Sequence, residues 1–268
     1  MKLMLTDIDG TILPWGHEAV SERTRAAFRA AQAAGHVAGL ATGRGYSWLP
    51  RFFAGEGACY ATAVATNGMQ IYHAGELICE KTLPVETLEH MAAVVREYPQ
   101  AGMLCFEGAR PLLVAGARDD LAPLFPAYAE TCEEAPVPQT SVVKANVYIG
   151  GGEAAHKALV EALNREVPEL HTDLARPGFS NVMLAGWNKG AAVLYLRDYL
   201  GIAPEDVFVF GDAGNDLPMF EVVENSVAMG NATPEAAAAA HWHIGNVEDD
   251  ACAQAIEALA RGKFPFTE

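Results

Sequence analysis

The chain alternates short apolar runs with stretches in which apolar residues recur at helical spacing. Runs of about four to eight apolar residues between turn formers are typical of buried strands, and apolar residues three or four positions apart are typical of amphipathic helices. In the first and last thirds of the chain the two patterns alternate, which predicts β-α-β units and a parallel sheet with right-handed crossovers. The elements predicted there are strands at 2–6, 36–41, 61–66, 207–210 and 226–229, helices at 21–34, 189–200 and 248–261, further helices starting at 46 and 233, and a hairpin at 69–80.

The middle of the chain has a different pattern of predicted strands and helices. Strand pairs lie on either side of helices, which indicates a separate α+β unit with an antiparallel sheet. The predicted strands are 103–106, 111–115, 142–149, 170–175 and 180–185, and the predicted helices are 84–98, 153–165 and one from about 119, with irregular surface at 123–138. The sequence therefore predicts an α/β protein. Its Rossmann-like, parallel-sheet core comes from residues 1–81 and 186–268, and an α+β unit is inserted at 82–185.

Composition and charge narrow the classes of partner. The 268 residues include 18 Lys and Arg against 34 Asp and Glu, a net charge of −16, which argues against binding nucleic acid or an anionic membrane. No long apolar span or secretory leader pattern is present, and the five scattered cysteines indicate free thiols in a reducing compartment. We therefore expect a soluble, cytoplasmic protein; no pattern in the sequence specifies its oligomeric state.

Two carboxylates follow the first predicted strand. Asp7 and Asp9 are two residues apart, so in extended chain their side chains point the same way, roughly 6.6 Å apart. A divalent cation or a bound proton would relieve their repulsion. Gly10 permits a sharp turn there and the Thr11 hydroxyl can fasten it, so turn capping is the alternative interpretation. A calcium loop is set aside because Ile12 stands where such a loop needs glycine.

Polar residues also follow the other predicted parallel strands. They are Thr42, Gly43 and Arg44 after the second strand, Asn67 after the third, and 211–216 after the fourth. Ligands bind outside the carboxyl ends of strands in open parallel sheets, so we expect these residues to converge on one site. The Thr42 hydroxyl and the amides of Gly43 and Arg44 lie where a helix is predicted to begin, which suits a phosphate.

A lysine at the start of a helix adds to this pattern. The helix dipole disfavours a cation at that end, so Lys189 suggests an anionic partner, although a solvated surface lysine is the alternative. Mg²⁺ prefers oxygen ligands, and Asp7, Asp212 and Asp216 would supply them. The residues therefore favour phosphoryl transfer with Mg²⁺ as cofactor.

Several segments together carry a resemblance to a known family. They are Asp7-Ile8-Asp9-Gly10-Thr11, Ala41-Thr42-Gly43-Arg44, Asn67-Gly68, Asn188-Lys189-Gly190, Gly211-Asp212-Ala213-Gly214-Asn215-Asp216 and Ala228-Met229-Gly230-Asn231-Ala232. In this order, and over nearly the whole chain, they resemble the haloacid dehalogenase superfamily of phosphatases. The resemblance is to the Cof-like branch, which carries a large α+β cap inserted after the third core strand.

The resemblance implies a role for each matching residue. Asp7 would be the nucleophile that forms an aspartyl-phosphate, and Asp9 would protonate the leaving oxygen and then activate water. Thr42 and Lys189 would hold the transferring phosphoryl group. The implied Mg²⁺ site comprises Asp7, the Asp9 main-chain carbonyl and Asp212, supported by Asn215 and Asp216.

The expected substrate is a small organic phosphomonoester, such as a sugar phosphate, chosen by the cap. One alternative is a phosphomutase of the same superfamily, which must hold a second phosphate. The seven Lys and Arg against fourteen Asp and Glu between Thr82 and Ala185 weigh against it. The other alternative is a sensor without catalysis, which would not need to keep Asp9.

Overall fold

The computed structural model describes residues 1–174 and 176–266. Internal contacts divide the chain into two compact units. The core unit is Met1–Cys79 with Asn188–Glu268, and the inserted unit is Glu80–Trp187. The sequence pattern predicts the two junctions between these units at 81/82 and 185/186.

The elements are numbered in chain order. The strands are β1 (Leu3–Thr6), β2 (Val37–Ala41), β3 (Ala63–Ala65), β4 (Gln70–His73), β5 (Glu76–Glu80), β6 (Ala101–Glu107), β7 (Arg110–Ala115), β8 (Glu133–Glu134), β9 (Lys144–Ile149), β10 (Leu170–Thr172), β11 (Phe179–Leu184), β12 (Val207–Gly211), β13 (Asn225–Ala228) and β14 (Trp242–His243). The helices are α1 (Glu22–Ala33), α2 (Leu49–Phe52), α3 (Val85–Val95), α4 (Arg118–Leu121), α5 (Pro126–Thr131), α6 (Glu153–Glu166), α7 (Lys189–Leu200), α8 (Leu217–Val222), α9 (Pro234–Ala239) and α10 (Ala251–Ala260). Among the described residues, no helix is both long and apolar enough to span a bilayer.

The core unit contains an eight-stranded sheet in the order β14-β13-β12-β1-β2-β3-β4-β5. The strands from β14 to β3 pair in parallel, and β4 is antiparallel to β3. β1 and β12 lie side by side near the centre and are buried along their whole length, as expected for strands covered on both faces. The parallel core predicted from the alternating pattern is thus confirmed, and it places the residues after β1 and β12 next to each other.

The inserted unit has its own six-stranded sheet in the order β10-β11-β9-β6-β7-β8. Its neighbouring strands are antiparallel except β7 and β8, which run parallel. The longer helices α3 and α6 pack against each other and against this sheet. The predicted α+β architecture of this segment is therefore confirmed.

The interval 123–138, predicted to be irregular surface, is partly ordered. It contains α5 and β8, so that prediction was wrong in part. Pro126 stands at the first turn of α5, a position where proline costs no hydrogen bond. Tyr128 in this helix is buried, stacked on Phe125 with ring centroids 4.1 Å apart and edge-on to Phe106 at 5.1 Å. Aromatic packing therefore orders a segment whose prolines and acids look like a loop.

Other predicted boundaries differ in small ways. The helix expected from residue 46 begins as a 3₁₀ turn, Tyr46–Trp48, and continues as α2. The strand expected at 170–175 ends at Thr172, and Ala175 lies outside the described residues. The helix expected from 248 starts only at Ala251, because Asp250 adopts a left-handed conformation with φ of 53° before it. None of these differences moves a strand end at the carboxyl edge of the core sheet.

Candidate active site

The turn after β1 carries the first two candidate carboxylates. Asp7 follows the strand directly, its amide donates to the Phe210 carbonyl at 2.9 Å, and its side chain is buried. Gly10 turns the chain with φ of +78°, and its amide donates to the Leu13 carbonyl at 2.9 Å. The Thr11 hydroxyl donates to Asp212 Oδ1 at 2.9 Å. The turn is therefore fastened to the strand end of β12, and it brings Asp7 and Asp212 to one place.

Lys189, the first residue of α7, lies between two carboxylates. Its side chain is fully buried, and Nζ donates to Asp216 Oδ1 at 2.6 Å. Nζ also lies 3.2 Å from Asp7 Oδ1, an ion-pair contact that lacks the geometry of a directed hydrogen bond. A lysine at the start of a helix is thus paired with carboxylates from two strand ends of the core sheet.

Asp216 anchors the loop after β12. Its Oδ2 accepts hydrogen bonds from the amides of Asp212, at 2.9 Å, and Ala213, at 3.1 Å, while its Oδ1 holds Lys189. A Cβ at Gly211 would lie 2.5 Å from Asp216 Oδ2, so only glycine leaves room for this carboxylate. Asp216 therefore orients both the loop that carries Asp212 and the lysine that faces Asp7.

The three aspartates form a compact cluster of oxygen ligands. Asp7, Asp212 and Asp216 each offer a carboxylate oxygen, and these oxygens lie within 4.8 Å of one another, all buried. Burial is the largest cause that raises the pKa of Asp7 to about 8, and Lys189 only partly opposes it. Burial likewise raises the pKa of Asp212 to about 7, followed by the charge of Asp216. Without a further cation, the folded cluster therefore holds protons that ordinary aspartates release near pH 4.

The pKa of Lys189 is shifted in the opposite direction from that of an isolated buried amine. Burial alone would lower its pKa, but the carboxylates of Asp216 and Asp7 outweigh that effect and raise the pKa above the usual value. The lysine therefore stays charged at neutral pH and supplies a positive charge that faces Asp7.

The turn after β2 forms the opposite side of the site. The Thr42 hydroxyl accepts a hydrogen bond from the amide of Arg44 at 3.2 Å, which leaves its proton available to another group. The Arg44 guanidinium forms a bidentate pair with Asp9, with Nε to Oδ2 at 2.8 Å and Nη2 to Oδ1 at 2.7 Å. Asp9 is thus oriented by the very segment that was expected to meet phosphate through its backbone.

The turn after β3 supports the start of α7. Asn67 has a left-handed conformation with φ of 53°, its amide donates to the Thr42 carbonyl at 2.9 Å, and its Oδ1 is buried without a hydrogen-bond partner among the described residues. A Cβ at Gly68 would lie 2.7 Å from the Asn188 carbonyl. The Asn188 side chain caps α7 by accepting from the Ala191 amide at 3.0 Å. This close packing fixes the helix start that carries Lys189.

Most of the residues singled out in the sequence therefore meet at one edge of the core sheet. Asp7, Asp212, Asp216 and Lys189 contact one another directly or through shared partners, and Asn215 lies in the 3₁₀ turn between Asp212 and α8. The capping role of Asn188 and the support from Asn231, whose Nδ2 donates to the Gly10 carbonyl at 2.7 Å, were not predicted. Asn231 stands in a segment that the resemblance covers, which was the only signal for it.

Fold and site together define a class of protein. It is an α/β protein in which carboxylates from two central strand ends surround a buried lysine, an arrangement suited to an anionic ligand and a divalent cation. The sequence profile of the haloacid dehalogenase-like hydrolases matches residues 4–256. The chain therefore belongs to this family, and the resemblance seen in its motifs is confirmed.

Relatives of known sequence agree with this assignment. YxeH of Bacillus subtilis, whose phosphatase assignment is provisional, is 29% identical over 273 residues, covering 98% of this chain and 99% of YxeH. YbjI of Escherichia coli, named a 5-amino-6-(5-phospho-D-ribitylamino)uracil phosphatase, is 25% identical over 288 residues, covering 100% of this chain and 99% of YbjI.

Solved structures share the whole fold. SMU.1108c from Streptococcus mutans superposes with a TM-score of 0.85 at 21% identity, covering 97% of this chain and 99% of that one. BT4131, described as a subclass IIB sugar phosphatase, superposes with a TM-score of 0.78 at 21% identity, with coverage of 97% and 99%. The similarity thus extends over both the core and the inserted segment.

Proposed function

We propose that this chain is a Mg²⁺-dependent phosphatase that hydrolyses a small organic phosphomonoester through an aspartyl-phosphate on Asp7. The observation that carries the proposal is the buried cluster in which Lys189 Nζ lies 3.2 Å from Asp7 Oδ1, while Asp212 and Asp216 offer oxygens close by. A phosphoryl group carries negative charge that spreads over its equatorial oxygens, and a fixed lysine beside the nucleophile can stabilise that charge.

In the proposed reaction, an oxygen of the Asp7 carboxylate attacks phosphorus while the bond from phosphorus to the ester oxygen breaks. Asp9 gives its proton to that leaving oxygen, and the Thr42 hydroxyl and Lys189 hold the transferring group. Asp9 then takes a proton from water as the water oxygen attacks phosphorus, which releases phosphate and restores the Asp7 carboxylate. Because Arg44 binds both oxygens of Asp9, this pair has to loosen before Asp9 can carry a proton.

The residues present fit a divalent cation. Three buried carboxylates share a single lysine, and burial, followed by the charges of the neighbouring aspartates, raises the pKa values of Asp7 and Asp212. Asp7, the Asp9 carbonyl and Asp212 would hold Mg²⁺, and the ion would add positive charge beside the transferring phosphoryl group. Both oxygens of Asp216 already accept hydrogen bonds, so its proposed contribution to the metal site is to orient Asp212.

The proposed substrate class is based on the substrates for which two similar proteins are named. YbjI is named for a phosphorylated ribitylamino-uracil, and BT4131 is described as a sugar phosphatase. We therefore propose a phosphorylated sugar, sugar alcohol or similar metabolite as the substrate. The inserted unit, residues 82–185 in the sequence-based division, is proposed to choose among such esters.

The deciding experiment measures phosphate release from a panel of phosphomonoesters and from an aryl phosphate, with Mg²⁺ or with a chelator. We expect turnover that requires the metal and falls by about a thousandfold or more in Asp7→Asn, because the covalent step has lost its nucleophile. Asp198→Asn is the matched control, since the side chain of this exposed aspartate pairs with the adjacent Arg197. A folded Asp7→Asn protein that releases phosphate at the wild-type rate would refute the proposal.

A further inference from the structure

A pocket of about 480 Å³ opens beside Asp9 in the core unit. Its walls are the loop 13–18, which follows the turn after β1, and the residues Arg44, Arg51 and Phe52. A cavity of this size accepts a small organic molecule. Asp9 at its edge is the residue proposed to protonate the leaving oxygen, so the organic part of a substrate would extend from that oxygen into this space.

Two arginines share one aromatic ring in the pocket wall. The guanidinium carbon of Arg44 lies 5.0 Å from the centroid of the Phe52 ring, and that of Arg51 lies 4.6 Å from the same centroid. Arg51 also lies over Trp48, at 5.8 Å. Aromatic contacts of this kind hold the flat guanidinium in place while leaving its N–H donors free to point elsewhere.

The two arginines differ in their partners. Arg44 is bound to Asp9 through two hydrogen bonds, whereas Arg51 makes no hydrogen bond or ion pair with the residues that the structure describes. Glu18 also lines the pocket, yet no ion pair joins it to Arg51 within the described part of the chain. In a protein of net charge −16, a positioned guanidinium in a pocket with no carboxylate partner among the described residues is a distinctive feature. Its chemistry matches a carboxylate or phosphate, whose two oxygens fit the fork of N–H donors.

We propose, on the basis of the phosphatase function above, that this pocket receives the leaving group and that Arg51 binds a second acidic group on it. The substrate class is then a phosphomonoester whose organic part carries a carboxylate or a second phosphate. Arg51 is thus proposed as a specificity-determining residue, because it would contact the organic part of the substrate and not the transferring phosphoryl group.

The test compares esters that differ only in the second acid. Glycerol 3-phosphate is paired with 3-phosphoglycerate, and fructose 6-phosphate with fructose 1,6-bisphosphate, so the two arms separate a carboxylate from a phosphate. The ratio of kcat/KM within each pair is measured for the wild type and for Arg51→Gln. We expect the wild type to favour the acidic member of at least one pair and Arg51→Gln to lower that ratio by about 10- to 100-fold, mainly through KM.

Two controls accompany this variant. Arg261→Gln removes the same charge at an exposed side chain that lies outside the pocket, 3.8 Å from Glu257, and should keep the wild-type ratio. Arg51→Lys retains the charge without the fork and should restore part of the ratio. A wild type that favours the neutral members, or an Arg51→Gln ratio equal to that of the wild type, would overturn the proposal.

A binding measurement separates this proposal from the proposed function. Calorimetry with the same esters and the Asp7→Asn variant, with and without Arg51→Gln, reports on the pocket in the absence of turnover. If the wild type releases no phosphate but the acidic esters still bind in an Arg51-dependent manner, the hydrolase assignment fails and the pocket assignment stands. If turnover is present and the binding preference does not depend on Arg51, the pocket assignment alone fails.

Discussion

Asp216 shows how one buried carboxylate can serve several groups at once. Its two oxygens accept from Lys189 and from two backbone amides, so its negative charge is fully engaged. Asp7, by contrast, has an oxygen that faces Lys189 without a directed hydrogen bond, and this oxygen is otherwise unpartnered among the described residues. A buried acceptor is costly to leave without a partner, so Asp7 is the member of the cluster that is prepared for a ligand.

The raised pKa values in this cluster predict how the stability of the metal-free protein depends on pH. A carboxyl group whose pKa is raised on folding binds its proton more tightly in the folded state, so its contribution is fully present below the unfolded pKa near 4. That contribution is lost as the pH rises through about 7 for Asp212 and about 8 for Asp7. In a chelator, the melting temperature should therefore decrease between pH 5 and pH 8.

The variant Asp212→Asn should remove part of that decrease. At pH 8 in chelator we expect its melting temperature to exceed that of the wild type by about 2–5 °C, because a buried charge has been replaced by a neutral amide. Added Mg²⁺ should raise the melting temperature of the wild type at pH 8 but have little effect on this variant. Scanning calorimetry at pH 5 and at pH 8 measures these melting temperatures, with Asp198→Asn as control. Parallel pH profiles for the wild type and Asp212→Asn would contradict the assignment of this cluster.

At the scale of the element, the turn after β1 is shaped by contact with a distant strand end. Gly10 has φ of +78°, Asn231 donates to its carbonyl at 2.7 Å, and a Cβ there would lie 2.3 Å from Asp212 Oδ2. Gly35 has a similar φ of +80°, but among the described residues no atom outside its chain neighbours lies within 4 Å of the corresponding Cβ position. The two glycines therefore share the same backbone requirement and differ in what surrounds them.

This difference gives a matched pair of substitutions. Alanine at either position should cost about 1 kcal/mol or more through the positive φ. Gly10→Ala should cost about 2 kcal/mol beyond Gly35→Ala and lower the rate of phosphate release by about tenfold or more, because it displaces the Asp212 carboxylate. Denaturant unfolding and steady-state kinetics measure both effects. Equal losses for the two variants would mean that the contact with Asp212 is unimportant.

At the scale of the whole molecule, every residue assigned to the proposed metal and phosphate site belongs to the core unit. The two segments of that unit also contact each other near the insertion, where the Tyr195 hydroxyl donates to the Ile78 carbonyl at 3.4 Å. The inserted unit has a separate sheet and its own buried aromatic cluster. The chemistry and the Arg51 pocket are therefore both proposed for the core unit, separate from the further choice among esters that is proposed for the inserted unit.

Replacing residues 80–187 by a short glycine-serine linker tests this separation. We expect the remaining core to fold and to keep a rise in melting temperature on addition of Mg²⁺, because the carboxylate cluster is intact. Hydrolysis of an aryl phosphate should persist at a reduced rate and the Arg51-dependent preference for acidic esters should remain, whereas the selection proposed for the inserted unit should disappear. Loss of the Mg²⁺ response in a folded core would show that the inserted unit contributes to the metal site. The same replacement in an Asp212→Asn background is the control.

The sequence by itself determined the alternation of strands and helices, the α+β pattern of the middle of the chain, and the polar strand ends. These features are local, since apolar spacing and turn residues act over a few positions, and the rule for parallel sheets extends them to a shared edge. The same local patterns also predicted that Lys189 lies at the start of a helix. The family resemblance added roles for Asp7 and Asp9 that spacing alone left open.

Only the tertiary structure decided which side chains contact each other across the chain. The bidentate pair of Arg44 with Asp9 and the bridge of Lys189 between Asp7 and Asp216 join residues far apart in sequence, and no local pattern specifies them. The order of 123–138 likewise depends on aromatic packing that composition does not reveal. Local periodicity specifies elements and their ends, whereas contacts between distant residues depend on how the elements pack, and this is where the carboxylate cluster and the arginine pocket arise.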